Sequence, residues 1–524
     1  MLKMELIHEG NRPPWRSDGG RWVSGASWIE PFRHPNLEDF AATDGTSSLV
    51  VVRERASDVI QLGTPEPVAL TPPAYGELRH RLLASATDFF MIEQDPQGAF
   101  RLYAGQWGNA PVYVVEGRGR LHGSWYYGDL RAHMRFGELH PPTVTSILAG
   151  RPRYSMHTLF APVKQITERM RVTYDPVSGL DFRYPEPAMR ALPREIREGV
   201  DILDVYEAEL QRAVRLWEID PERTAVELSG GMDSANVAMT LAGLFPGKIR
   251  SYALILAGEI GEQQLRRRNA MIDFAGFRDF RVPAIDWPPL HPLGGRALGD
   301  PLNPMDEPYH EAVEAMLESA TAHGLTTVFT GDGGDELLSL RGEEWGRTGR
   351  VQGRNNPHRN PPDWLGCRAV ELLARIDSDL APVTVLNEAT HLGFACRTPQ
   401  FMAAGLWPLS PLASGRLIRF GEQLPVRFRE GKFIARERLR RLGFSDDVVH
   451  PRHRENFVHV MERGLVEYGV PLVDEYLEES PLVDLGFVDP DRLRAVRDAA
   501  STGRIDTRLF GYLRLELGLR GLLS

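Results

Sequence analysis

Thr224-Ala225-Val226-Glu227-Leu228 runs directly into Ser229-Gly230-Gly231-Met232-Asp233-Ser234 and then into an apolar stretch ending at Leu244. The first five residues read as a short strand, and Ser234 to Leu244 reads as a helix. Between them, two glycines let backbone N–H groups crowd around a phosphate, and the helix N-terminus adds the positive end of its dipole. No Gly-Lys-Ser/Thr follows, so this is not a Walker A loop. An acidic residue inside such a loop repels phosphate unless a cation lies between them, which makes Asp233 a natural Mg²⁺ ligand. Ser229, Gly230, Gly231, Asp233 and Ser234 are the candidate phosphate-binding set.

Downstream, the same alternation continues. Ile249–Leu256 and Asp279–Val282 read as strands, Tyr309–Ala322 as a helix, and Thr326–Phe329 as another strand. Strand and helix in turn predict a parallel sheet wrapped by helices. Directly after Thr326–Phe329 comes a second glycine- and acid-rich turn, Thr330-Gly331-Asp332-Gly333-Gly334-Asp335-Glu336. Ligands of parallel α/β sheets bind at the carboxyl ends of strands, so both turns are placed to converge on one site. From Trp364 onward the chain reads as mainly helical, and 341–363 reads as a polar surface loop, either a tolerated insertion or a lid over the site.

Upstream, Ile202–Trp217 reads as a helix, and Pro185–Glu198 as a connection between domains. The first 190 residues read differently. Ser48–Arg53, Asp88–Gln94, Phe100–Ala104, Ala110–Glu116 and Arg120–Trp125 are strand candidates, with a helical stretch near Tyr75–Ala84. Turns such as Asp95-Pro96-Gln97-Gly98 separate them, which predicts an antiparallel sheet or sandwich. The expected architecture is α/β, with a β-rich domain at 1–190 and a parallel-sheet domain at 195–524.

Composition narrows the class. Of 524 residues, 42% are hydrophobic and 25% charged, the mix of a folded globular protein. The formal charge of −10 argues against nucleic acid as the main partner. Two cysteines, Cys367 and Cys396, exclude a disulfide scaffold or a cysteine-rich metal site. The N-terminus shows no signal-peptide pattern and the chain no long apolar run, so the expectation is a cytoplasmic protein without a membrane span. Only four lysines occur, Lys3, Lys164, Lys248 and Lys432, which singles out each of them.

The SGGxDS loop followed by a G-[DE]-G-x-D-E turn resembles the asparagine synthetase superfamily, which includes β-lactam synthetases and lasso-peptide macrolactam cyclases. Asp306-Glu307-Pro308 also recurs there. The resemblance implies an ATP- and Mg²⁺-dependent synthetase in which a substrate carboxylate attacks the α-phosphate, so that pyrophosphate and then AMP are released, with Asp233 and Asp335 as metal ligands and Gly331 beside the nucleotide. It implies that Lys432 stabilises the adenylation and amide-forming transition states. Leu386-Asn387-Glu388 resembles the segment whose Glu positions the attacking amine in β-lactam synthetases. Their partner tyrosine is replaced here by Asp332, so that Glu388 and Asp332 become an amine-binding pair. Pro408–Ser414 matches the family's substrate-pocket segment poorly.

The family's glutaminase half needs a cysteine after the initiator methionine, and residue 2 is Leu. The resemblance thus implies an inactive glutaminase-like sandwich domain and a substrate that brings its own amine. The leading expectation is a lasso-peptide cyclase, working with a precursor peptide and a leader-removing protease. Closure of a small β-amino acid and amidation with free ammonia are the alternatives, and a pyrophosphate-loop tRNA-modifying enzyme fits less well. The intact Asp233, Asp335 and Lys432 set speaks against a catalytically dead scaffold.

Overall fold

The computed structural model describes residues 1–9, 13–57, 66–175, 177–340, 344 and 360–524. Most of the polar stretch 341–363 therefore lies outside the described residues.

The N-terminal part, up to Arg183, is a sandwich. One sheet of seven strands runs β12-β10-β11-β1-β4-β3-β2, and the other runs β14-β13-β9-β8-β6-β5-β7. The strands are β1 (Leu2–Ile7), β2 (Arg16–Asp18), β3 (Arg21–Ser24), β4 (Ser27–Pro31), β5 (Leu37–Thr43), β6 (Ser48–Glu54), β7 (Val68–Ala69), β8 (Phe89–Gln94), β9 (Phe100–Ala104), β10 (Val112–Gly117), β11 (Arg120–Ser124), β12 (Lys164–Ile166), β13 (Arg171–Asp175) and β14 (Gly179–Arg183). Pairing is antiparallel except for β5 with β7. The period of two decides the faces. Val50 and Val52 of β6 meet Val112 and Val114 of β10 in the core between the sheets. Their neighbours point the other way: Leu49 and Val51 pack under helix α1 (Pro72–Leu83), and Tyr113 and Val115 pack under helix α2 (Pro141–Leu148). Both outer faces are thereby covered, which is why these strands are apolar on both sides.

The C-terminal part, from Ile202 onward, is built on a parallel sheet ordered β17-β16-β15-β18-β19. Its strands are β15 (Thr224–Glu227), β16 (Arg250–Ile255), β17 (Arg278–Pro283), β18 (Thr327–Phe329) and β19 (Trp407–Leu409). Helix α3 (Ile202–Val214) leads in, α4 (Met232–Leu244) follows β15, and α5 (Gly258–Ala275) follows β16. Two features depart from the sequence reading. Trp407–Leu409 is a strand inside a stretch read as helical, because three apolar residues carry no period and only pairing with β18 defines them. The 18-residue helix α5 is the other: its buried face carries Gln263, Gln264, Arg267 and Arg268, so it lacks an apolar stripe.

The sandwich covers the edge strand β19, which would otherwise offer unpaired backbone groups. Asn109 Nδ2 donates to the Pro408 carbonyl at 3.1 Å, and Thr327 Oγ1 donates to Asn36 Oδ1 at 2.6 Å. At the centre of the contact is the buried Glu54, which accepts from Trp217 Nε1 at 2.7 Å and Trp407 Nε1 at 3.0 Å. Asp88 is buried beside it, and its backbone N–H donates to Glu54 Oε2 at 3.0 Å. Burial raises both above the ordinary carboxylate range, and the Asp88 charge adds to the rise at Glu54. The expected connection at Pro185–Glu198 forms no regular element and is pinned by Ala188 N to the Val383 carbonyl and Arg194 N to the Gln423 carbonyl.

Candidate active site

Strand order reverses between β15 and β18, and both glycine-rich turns leave the carboxyl ends of these two strands. This is the switch point at which open α/β sheets bind ligands. In the first turn Gly230 has φ +96°, a conformation that a side chain disfavours, and Gly231 caps α4 without a side-chain hydrogen bond. The loop carbonyls are occupied from α5: Gln264 Nε2 donates to Ser229 O at 2.9 Å, and Arg268 Nε donates to Leu228 O at 2.5 Å. Arg268 is itself held by Asp279 at 2.6 Å. With its carbonyls satisfied behind, the turn has the N–H-rich first turn of α4 to offer an anion. Ser229 Oγ and Ser234 Oγ close the loop on each other at 3.0 Å.

The second turn fits against the first without room for side chains. A Cβ on Gly331 would lie 2.9 Å from Ser234 N, and one on Gly334 would lie 2.2 Å from Asp233 Cγ. This close approach brings Asp233 and Asp335 to one cation. Lys432 Nζ bonds to Asp233 Oδ2 and lies 2.8 Å from Asp335 Oδ1. Burial opposes the Lys432 charge, but the two carboxylates outweigh it and hold the ammonium above the ordinary lysine value. Burial pushes Asp233 up, against the pull of Lys432. Lys432 has φ +58°, directly after Gly431 at +61°. For a lysine that conformation costs about 1–2 kcal/mol and persists where the surroundings impose it.

Beside this centre is a second one that the sequence reading did not anticipate. Arg397 lies among three carboxylates: Glu227 at 2.9 Å, Asp332 at 3.6 Å and Glu307 at 3.9 Å. Burial works against its charge, yet the carboxylates together raise its pKa above that of ordinary arginine. Glu307 was visible in the Asp-Glu-Pro motif, whereas Glu227 passed as a strand residue and Arg397 as one of many helical arginines. Asp332 is thus committed to Arg397 and to Thr330 Oγ1 at 2.9 Å.

Glu388 is placed differently from the rest. Asn387 N donates to Glu336 at 3.1 Å, so the Leu-Asn-Glu segment does adjoin the second turn. The Glu388 carboxylate, however, faces the sandwich domain, accepting from Tyr154 N at 3.0 Å and Arg153 at 3.3 Å. It does not form the expected pair with Asp332.

Three carboxylates around Arg397 and two around Lys432 leave the pocket acidic. A polyphosphate entering it needs further positive charge. Among the described residues, no three His, Cys, Asp or Glu side chains form a complete metal cage. Mg²⁺ does not require one, since it is commonly held by one or two carboxylates together with substrate phosphates and water. Asp233 and Asp335 fit that donor set.

Residues 206–374 match the asparagine synthase family. That segment is similar to an asparagine synthase domain, and it runs from within α3 through both glycine-rich turns and Asp306-Glu307-Pro308. Members of the family are ATP-dependent C–N ligases that generally use Mg²⁺. No curated protein matches the chain. Among solved structures, a U34-tRNA thiolase from Methanococcus maripaludis matches at 12% identity and TM-score 0.20, covering 48% of this chain and 84% of its own. A glutamine phosphoribosylpyrophosphate amidotransferase from B. subtilis matches at 8% identity and TM-score 0.22, covering 55% and 82%. No helix among the described residues is long and apolar enough to cross a membrane.

Proposed function

We propose that this protein is an AMP-forming amide synthetase that closes a macrolactam in a peptide, in the manner of a lasso-peptide cyclase. The observation that carries the reading is the convergence of Asp233 and Asp335, one from each turn, on Lys432 Nζ. A substrate carboxylate attacks the α-phosphorus of ATP, the bond to the β-phosphate breaks, and pyrophosphate leaves. An amine of the same molecule then attacks the acyl carbon, loses a proton, and expels AMP. The first turn grips the β- and γ-phosphates through backbone N–H groups. Asp233 and Asp335 would hold Mg²⁺, which would supply positive charge against the phosphates. Lys432 supplies a compact positive charge for the developing phosphate and oxyanion charge.

Two observations favour a substrate with its own amine and of peptide size. Residue 2 is a fully buried strand leucine, so the sandwich domain carries no thiol there. Between the domains lies a cavity of about 880 Å³, lined by Trp107, Leu386, Ala413 and Arg416, whose Ala413 abuts Gly333 of the second turn. That volume is in the upper part of the range for drug-sized ligands and exceeds what a small β-amino acid fills. The peptide would reach the enzyme after a protease removes its leader.

The test is a product analysis with ATP, Mg²⁺ and candidate core peptides. Expected are AMP and pyrophosphate, a peptide lighter by one water, and no glutamate from added glutamine. ADP and phosphate would overturn the AMP-forming chemistry. Steady glutamate release would overturn the inactive-sandwich reading.

A further inference from the structure

Helix α5 buries Gln264 and Arg268 four residues apart, and so on one side of the helix. Every polar atom of the Gln264 amide is used. Its Oε1 accepts from Leu256 N at 2.9 Å, while Nε2 donates to Leu254 O at 3.0 Å and to Ser229 O at 2.9 Å. The Ser229 carbonyl is thereby tied to the carboxyl end of β16. Arg268 Nε holds the Leu228 carbonyl at 2.5 Å.

These two bonds decide where the N–H groups of the first turn point. In an extended strand between two neighbours, successive N–H groups face opposite sides. Leu228 N keeps to this rule and donates to the Tyr252 carbonyl of β16 at 3.0 Å. Ser229 N therefore faces the other side, that of β18. Continued alternation would return Gly230 N to the β16 side and turn the Ser229 carbonyl toward β18. Gln264 reverses both. A peptide unit is planar and trans, so a carbonyl held beside β16 sends the N–H of the next residue away from it. Gly230, at φ +96°, takes up the turn.

Ser229 N and Gly230 N thus lie on the same side, and among the described residues neither has an acceptor. Gly231 N, next along, is already given to Ser229 Oγ at 3.1 Å. Adjacent N–H groups that converge in a turn form an anion-binding concavity. The carboxylate nearest to Gly230 is Glu455, whose Oε1 would lie 3.1 Å from a Cβ there. Arg267, also on α5, balances it at 2.8 Å.

We propose that Gln264 is a positioning residue of the synthetase: by holding the Ser229 carbonyl, it keeps Ser229 N–H and Gly230 N–H together as donors to the pyrophosphate part of ATP. The inference rests on the reading of the first turn as the site of the β- and γ-phosphates. Arg268 supports the same arrangement by fixing the peptide unit that carries Ser229 N–H. Without Gln264, the Ser229 carbonyl is free to turn inward, and an acceptor that repels phosphate replaces a donor.

Calorimetric titration of the full-length protein with pyrophosphate and Mg²⁺, and separately with AMP, tests the assignment. Gln264→Glu keeps the size and the acceptor for Leu256 N, but once ionised it has no donor for Ser229 O. Pyrophosphate binding should weaken about tenfold, the scale of one hydrogen bond to a charged group. AMP binding should hold, because AMP carries no β- or γ-phosphate. A protonated glutamate regains a donor, so the ratio of wild-type to Gln264→Glu affinity should grow as pH rises. The titration of pyrophosphate itself cancels in that ratio. Gln264→Met, uncharged and of similar size, should show the weakening at every pH, and it serves if Gln264→Glu fails to fold. Equal pyrophosphate affinity in wild type and the variants would overturn the assignment. So would a parallel loss of AMP binding, which would mark a general distortion of the site. Absence of pyrophosphate binding by the wild type would instead overturn the synthetase reading itself.

Discussion

Replacing Gly334 with alanine places a methyl group where the Asp233 carboxylate already stands. The added Cβ would lie 2.2 Å from Asp233 Cγ and 2.4 Å from Oδ1. Ordinary contact begins near 3.4 Å, so the two turns must separate by roughly 1.2 Å. Gly334 itself does not have positive φ, so alanine is compatible with its backbone and the effect is purely steric. Overpacking of this kind costs about 1–3 kcal/mol. The functional cost is larger. Asp233 moves relative to Lys432 and Asp335, and a displacement near 1 Å in a reacting constellation is worth about 10²-fold in rate. The assay is ATP-dependent pyrophosphate release, read beside a thermal melt, for Gly334→Ala and for Gly393→Ala as the control. Gly393 lies within the helix Glu388–Ala403, and its Cβ would meet nothing within 4 Å. That control should keep full turnover and gain about 0.5–1 kcal/mol of stability. Wild-type turnover in Gly334→Ala would refute the idea that contact between the two turns sets the catalytic geometry.

Lys432→Ala should lower turnover by about 10²–10³-fold while ATP binding weakens far less, and Lys432→Arg should stay impaired because a planar fork cannot occupy a point-charge position. Near-normal turnover of the alanine variant would remove Lys432 from the chemistry. Glu54 gives a pH prediction: burial first, then the Asp88 charge, raise its carboxyl from 4.5 to about 7. The folded state then holds more protons than the unfolded one between these values, so this contribution to stability is complete below about 4.5 and is lost as pH rises to about 7. The melting temperature of Glu54→Gln should fall less steeply than that of wild type across this window, and parallel slopes would show that Glu54 does not titrate there.

Much of the centre was legible in the linear sequence, because glycine and acidic residues at a strand-to-helix turn have little other use at that spacing. Local order alone marks Ser229–Ser234 as the candidate phosphate cradle, and one lysine among so few marks Lys432. The alternating faces of β6 and β10 likewise follow from a period of two. What sequence cannot specify is where a side chain separated by a hundred or more residues points. Arg397 becomes the partner of Glu227 and Asp332 only once its helix crosses the ends of β15 and β18. Glu388 is turned toward Arg153 and Tyr154 only because the sandwich domain docks there. Strand β19 exists only through pairing with β18, and α5 buries polar side chains whose role is to hold the loop carbonyls of Leu228 and Ser229. Local propensity and hydrogen bonding reach a few residues along the chain, and they set the elements and the turns. Charge neutralisation and close packing act between surfaces brought together by folding, and they alone decided which carboxylates share a cation.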